Sequence, residues 1–152
     1  MTIEELCERH RRIAVDSNVL IYLLEGDERW GPAARALMKA VEDGRVAALL
    51  SALGLAEVLA GPATDDLAHV ERYNDDIRSI AGLKVVPFEV GLSPDAAVIR
   101  GVRRIGLPDA IHLATARANG ATAFVTNDRQ IRGSARLEVV CLDDLELDSA
   151  AT

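Results

Sequence analysis

Brief apolar runs alternate along the chain with longer stretches of helical periodicity. Arg12 to Val15, Val46 to Leu50, Lys84 to Phe88, Thr122 to Val125 and Leu137 to Cys141 are short, apolar, and mostly β-branched or bounded by glycine, which is the pattern of buried strands. Helices are predicted between them. Ser17 to Leu24 and Pro32 to Glu42 follow the first strand, and the second of these carries Ala33, Ala36, Leu37, Ala40 and Val41 at helical spacing before Gly44 ends it. Leu53 to Leu59 and Asp65 to Ala81 follow the second strand, split by Gly61-Pro62. Ser93-Pro94 opens a further helix, with Ser93 expected as N-cap and Pro94 at the first helical position. Another starts at Leu107-Pro108-Asp109 and ends at Gly120, and Asn127 to Ile131 offers a turn or two. Parallel neighbours need crossovers, and helical crossovers bury both faces of a sheet. The alternation therefore predicts an α/β protein: a mainly parallel five-stranded sheet between two helical layers.

With 152 residues, 49% hydrophobic and 27% charged, the chain has enough apolar surface for one core. A single domain over residues 1–147 is expected, with a loose tail at 148–152. No apolar stretch approaches the roughly 18 residues needed to cross a bilayer, and the start, MTIEELCERHRR, is charged throughout, so a cytoplasmic protein is expected. Cys7 and Cys141 stand far apart with no CxxC spacing and read as idle thiols.

Charge narrows the choice of partners. Seventeen basic residues against 24 acidic ones leave a net charge of −7, so the surface as a whole offers no electrostatic grip on nucleic acid. Any such contact must be local, as at Arg100, Arg103, Arg104 and Arg117. The five aromatics, Tyr22, Trp30, Tyr73, Phe88 and Phe124, are scattered and form no base-stacking platform.

The acids that interrupt apolar runs carry the chemistry. Ligands of open parallel sheets bind beyond the carboxyl ends of the strands. Asp16 follows the first strand at that edge, and Asp128 follows the fourth in AFVTNDRQ. Glu57 lies in SALGLAEVLAG, a helix apolar nearly all round and so expected to be buried, where an unpaired carboxylate is costly. Asp109 stands in the first turn before AIHLATA. Helix capping, a helix dipole or a buried arginine would each explain one of these acids alone. Converging carboxylates repel, and persist only with protons or cations; oxygen ligands without organised Cys or His select Mg²⁺ or Mn²⁺. His112, three residues beyond Asp109, reads as hydrogen-bonded core. Two helices separate the third strand from the fourth, so the break at Gly106-Leu107-Pro108 must return the chain to the site edge if Asp109 is to join the others.

DSNVLIYLLEG, SALGLAEVL, LPDAIHLATA and FVTNDRQI, in that order and spacing, resemble the signature blocks of the PIN-domain ribonucleases, especially the VapC toxins of bacterial and archaeal toxin–antitoxin pairs. The resemblance runs from about Ile13 to Leu142. It implies the three-layer α/β/α fold of that family and RNA cleavage with Mg²⁺ or Mn²⁺. It places the family's four acids on Asp16, Glu57, Asp109 and Asp128, and its supporting hydroxyl on Thr126. Asp16, Asp109 and Asp128 would hold metal, Glu57 would orient or deprotonate the attacking water, and Ser17 and Asn18 would steady Asp16. Products with a 5′ phosphate and a 3′ hydroxyl, an antitoxin partner and a homodimer are further implications. The helix pair bearing Leu20, Leu23, Leu24, Trp30, Leu37 and Met38 would pack in the core or receive an antitoxin helix.

Other classes fit less well. A haloacid dehalogenase phosphatase needs a second Asp where Asn18 stands, and a response-regulator receiver needs a phosphoacceptor where the third strand runs into Phe88-Glu89. A catalytically inactive RNA-binding or scaffold module of the same fold is the alternative function, and the presence of all four acids weighs against it.

Overall fold

The computed structural model describes residues 1–61, 66–134 and 136–147. Five strands form the sheet: β1 (Arg12–Val15), β2 (Ala47–Ser51), β3 (Leu83–Val86), β4 (Ala123–Thr126) and β5 (Glu138–Cys141). They lie in the order β3-β2-β1-β4-β5, and every pairing is parallel. The helices are α1 (Ile3–Arg9), α2 (Ser17–Glu25), α3 (Gly31–Glu42), α4 (Ala52–Ala60), α5 (Leu67–Arg78), α6 (Ser93–Arg103) and α7 (Leu107–Ala118).

Period-two alternation divides the sheet between two cores. Ile13, Val15, Ala48, Leu50, Ala123 and Val125 point to one face, where they meet Val19, Leu20, Leu37, Val41, Val58 and Ile77 from α2 to α5. Ala14, Leu49 and Phe124 point to the other, where Ala96 and Ile99 of α6 and Ala110, Leu113 and Ala114 of α7 cover them. This is the α/β/α sandwich that the alternation predicts. Leu20, Leu37 and Met38 are buried in the first core, and Leu23, Leu24 and Trp30 pack partly buried against it.

Several expectations need correction. Thr2 caps an unpredicted helix, α1, in a reciprocal capping box with Glu5, and Ile3 and Leu6 anchor it. β3 stops at Val86, short of Phe88. Leu92, not Ser93, occupies the N-cap position of α6, because a 3-10 turn at Val90–Leu92 leads directly into the helix. α5 begins at Leu67, capped by Asp66; the expected start at Asp65 and the Pro62 breaker lie outside the described residues. Asn127–Ile131 makes a turn, within what was expected of it, with Asp128 accepting from the Gln130 N–H at 2.9 Å. α4 is not buried all round: Ala52, Ala56 and Ala60 face solvent. The expected tail at 148–152 lies outside the described residues.

The path between β3 and α7 decides where Asp109 falls. Asp95, near the start of α6, lines a cleft with Arg117 and Ala118 at the end of α7 and Ala121 just before β4. α6 therefore starts at the edge opposite the carboxyl ends of the strands. Its last turn reaches the other edge, where Arg103 donates to the Arg132 carbonyl in the segment after β4. Residues 87–92 have crossed the sheet, a span within reach of six residues at about 3.3 Å each. α7 then starts at the carboxyl edge. The break at Gly106-Leu107-Pro108 reverses direction there; α6, started at the far edge by the crossing after β3, and not that break, brings the chain to the site edge.

Candidate functional site

The strand order reverses between β1 and β4, and the crevice beyond their carboxyl ends is the natural ligand position of such a sheet. Asp16 stands there, one residue past β1, held by its own N–H bond to the Val125 carbonyl at 2.9 Å. It is 5% exposed. As N-cap of α2, it accepts through Oδ1 from the Ser17 N–H at 2.7 Å and from Ser17 Oγ at 3.3 Å. Its Oδ2 accepts from Thr126 Oγ1 at 2.7 Å. Capping thus uses one oxygen of Asp16, while Thr126 orients the other.

Thr126 is a junction. Besides donating to Asp16, its Oγ1 accepts from the Asp128 N–H at 3.0 Å and from Asn18 Nδ2 at 3.5 Å. The hydroxyl therefore fixes both the Asp16 carboxylate and the turn that carries Asp128. Asn18 Oδ1 is buried without a hydrogen-bond partner, a neutral oxygen acceptor left over beside the acids.

Glu57, on α4, is partly exposed, and Oε1 lies 2.6 Å from His112 Nε2. His112 projects from α7 and is 3% exposed. Its Nδ1 lies 2.6 Å from Ser51 Oγ, and its ring stacks on Phe124 with centroids 6.3 Å apart. The prediction of a hydrogen-bonded core histidine describes this ring, but not that one of its partners is Glu57.

Asp109 makes no side-chain hydrogen bond among the described residues, and its pKa is raised. Burial is the largest cause, followed by the negative charges of Asp16 and Asp128, with Glu57 adding to them and His112 opposing. Asp109 thus lies in the combined field of all three other acids. The structure brings the four sequence-selected acids to one edge, with Thr126, Ser17 and Asn18 around the first of them.

The donors suit a divalent cation. One oxygen each of Asp16 and Glu57 and a ring nitrogen of His112 lie within 4.8 Å of one another, the single such group of three among the described residues. Asp109 and Asp128 belong to the surrounding field rather than to this tight group, whereas the expected metal set was Asp16, Asp109 and Asp128. Converging carboxylates and the spare Asn18 oxygen form a hard donor set. Nothing in the sequence marks the bond from His112 to Glu57, and Ser51, opening SALGLAEVL just after a strand, is legible there only as an N-cap.

The PIN domain family model matches residues 13–137, and the chain belongs to that family. No curated protein matches it in sequence. Among solved structures it is similar to VapBC2 from Rickettsia felis, bound to a DNA fragment from their promoter, at 16% identity and a TM-score of 0.66, covering 86% of this chain and 98% of that one. It is also similar to FitAcB from Neisseria gonorrhoeae at 19% identity and a TM-score of 0.61, covering 89% and 95%. VapC20 from Mycobacterium tuberculosis, a sarcin-ricin loop cleaving toxin, aligns at 18% identity and a TM-score of 0.57 over 74% and 86%. At these identities the likeness shows a shared fold. Among the described residues, no helix is long and apolar enough to cross a membrane.

Proposed function

We propose that this chain is a Mg²⁺- or Mn²⁺-dependent endoribonuclease, the toxin of a VapBC-type pair. The observation that carries the proposal is geometric: donor atoms of Asp16, Glu57 and His112 lie within 4.8 Å of one another at the carboxyl edge of the sheet, and the charges of Asp16, Asp128 and Glu57 help to raise the pKa of Asp109 beside them, a repulsion that a proton or a cation relieves. Asp16, Asp109 and Asp128 hold the metal directly or through water. A bound divalent cation supplies an acidified water and a polarised phosphoryl oxygen. Thr126, assisted by Ser17 and Asn18, keeps the Asp16 carboxylate turned to the site. Glu57 orients the attacking water and takes its proton. Arg100, Arg103 and Arg104, at the end of α6 that reaches the site edge, draw the RNA backbone toward an otherwise acidic surface; Arg117, expected to join them, lies at the opposite edge. The products carry a 5′ phosphate and a 3′ hydroxyl.

The partner is an antitoxin helix laid over α2 and α3, where Leu23, Ala36 and Met38, rimmed by Arg35, Lys39 and Glu42, line a cleft of about 440 Å³. The chain acts in the cytoplasm as a homodimer, and the exposed Val98 and Val102 on α6 supply apolar surface for pairing.

Incubating the pure protein with RNA and Mn²⁺, with and without chelator, beside Asp16→Asn tests the reading. Cleavage that both chelator and substitution abolish supports it. Cleavage indifferent to Asp16 rejects the mechanism, and cleavage of no RNA favours the non-catalytic RNA-binding or scaffold role.

A further inference from the structure

His112 is the one buried imidazole beside the acids, and the proposed reaction gives it no role. Donor and acceptor chemistry fixes its bond to Glu57. Ser51 Oγ accepts from the Gly54 N–H at 2.9 Å as the N-cap of α4, so its own hydrogen is free for His112 Nδ1, 2.6 Å away. On the other side of the ring, Glu57 Oε1 lies 2.6 Å from Nε2. A carboxylate oxygen brings no hydrogen, and two lone pairs do not sit at that separation. Nε2 therefore carries a proton and gives it to Glu57, and in the neutral ring Nδ1 receives from Ser51. The chain runs one way, from the Gly54 N–H through Ser51 and His112 to Glu57, and such aligned bonds polarise one another.

From this geometry we infer that His112 is a positioning residue: it holds Glu57 in working orientation through Nε2–H, and Ser51 holds the tautomer that makes this possible. The inference rests on the ribonuclease reading and adds a residue to its machinery. Glu57 needs the support because it stands on a helix with one exposed face and is itself 38% exposed in its side chain, free to rotate into solvent. Its partner is fixed: His112 is buried, stacked on Phe124, and carried by α7, the helix that also bears Asp109. One ring thus couples the two helices that present Glu57 and Asp109. The other use of the ring, as a cation ligand, requires Nε2 to give up both its hydrogen and its bond to Glu57.

The test combines kinetics with ring spectroscopy on the full chain. His112→Ala is expected to lower kcat by roughly 10- to 100-fold with little change in KM. His112→Gln, whose terminal amide can occupy the Nε2 position, is expected to recover most of that loss, whereas His112→Asn, which reaches only the Nδ1 position, is not. In a Glu57→Gln background, His112→Ala is expected to cost almost nothing further, because its effect passes through Glu57. Long-range proton–nitrogen spectra should show the ring protonated at Nε2 with and without Mg²⁺. An additive double variant, His112→Gln as impaired as His112→Ala, or loss of the Nε2 proton when Mg²⁺ binds would each overturn the assignment while leaving the ribonuclease reading intact. A wild-type protein that cleaves no RNA would reject that reading, and this assignment with it.

Discussion

Thr126 Oγ1 and Asp16 Oδ2 lie 2.7 Å apart across 110 residues of chain, each side chain buried at the carboxyl end of one of two neighbouring strands. The register Val15 to Val125 sets this distance, since each residue follows its registered partner by one. Thr126→Val keeps the shape but strips the donor from Asp16 and the acceptor from the Asp128 N–H. A cost of about 1–3 kcal/mol in unfolding free energy is expected from the orphaned groups, read by urea titration. Thr126→Ser keeps both bonds and should lose only about the one methyl it gives up, roughly 0.5–1.5 kcal/mol.

Asp109 has a pKa raised in the folded state, so the metal-free native protein holds this proton more tightly than the unfolded chain does. Stability contributed by the protonated form is present below the ordinary carboxylate range and is lost as pH rises through the raised folded value. Metal-free wild type should therefore lose stability across that window, and Asp109→Asn should lose less. At neutral pH and without metal, the variant is expected to melt above wild type. Thermal melts in chelator across the pH range check both the sign and the window.

Ser51 serves two partners at once, the Gly54 N–H and His112 Nδ1. Removing the cap of α4 costs about 0.5–2 kcal/mol. Ser51→Ala also leaves a buried ring nitrogen unpaired, so its measured destabilisation should lie at the upper end of that range or above it. A loss under half a kilocalorie, roughly the floor for a cap, would mean that His112 finds another partner.

Much of this site is legible in the primary structure because it is local. Asp16 and Asp128 directly follow strands, and parallel strands put their carboxyl ends at one edge without further information. Asp109 joins the other acids in the sequence only through the resemblance: Pro87 marks the end of β3 after Val86, but nothing in VPFEVGLSP tells that the chain then crosses to the far edge. α1 is masked by its many charged residues, although Thr2 and Glu5 spell a capping box ahead of Leu6. The bond from His112 to Glu57 depends on the rotation of α7 against α4, which no periodicity encodes.

The central claim is that these carboxylates form a divalent-cation site. Calorimetric titration of the chelator-treated protein with Mn²⁺ measures it without assuming a substrate. Saturable binding by wild type, weakened at least about tenfold in Asp16→Asn, which is some 1.4 kcal/mol, is the predicted result. Absence of binding, or equal binding by the two proteins, would contradict it.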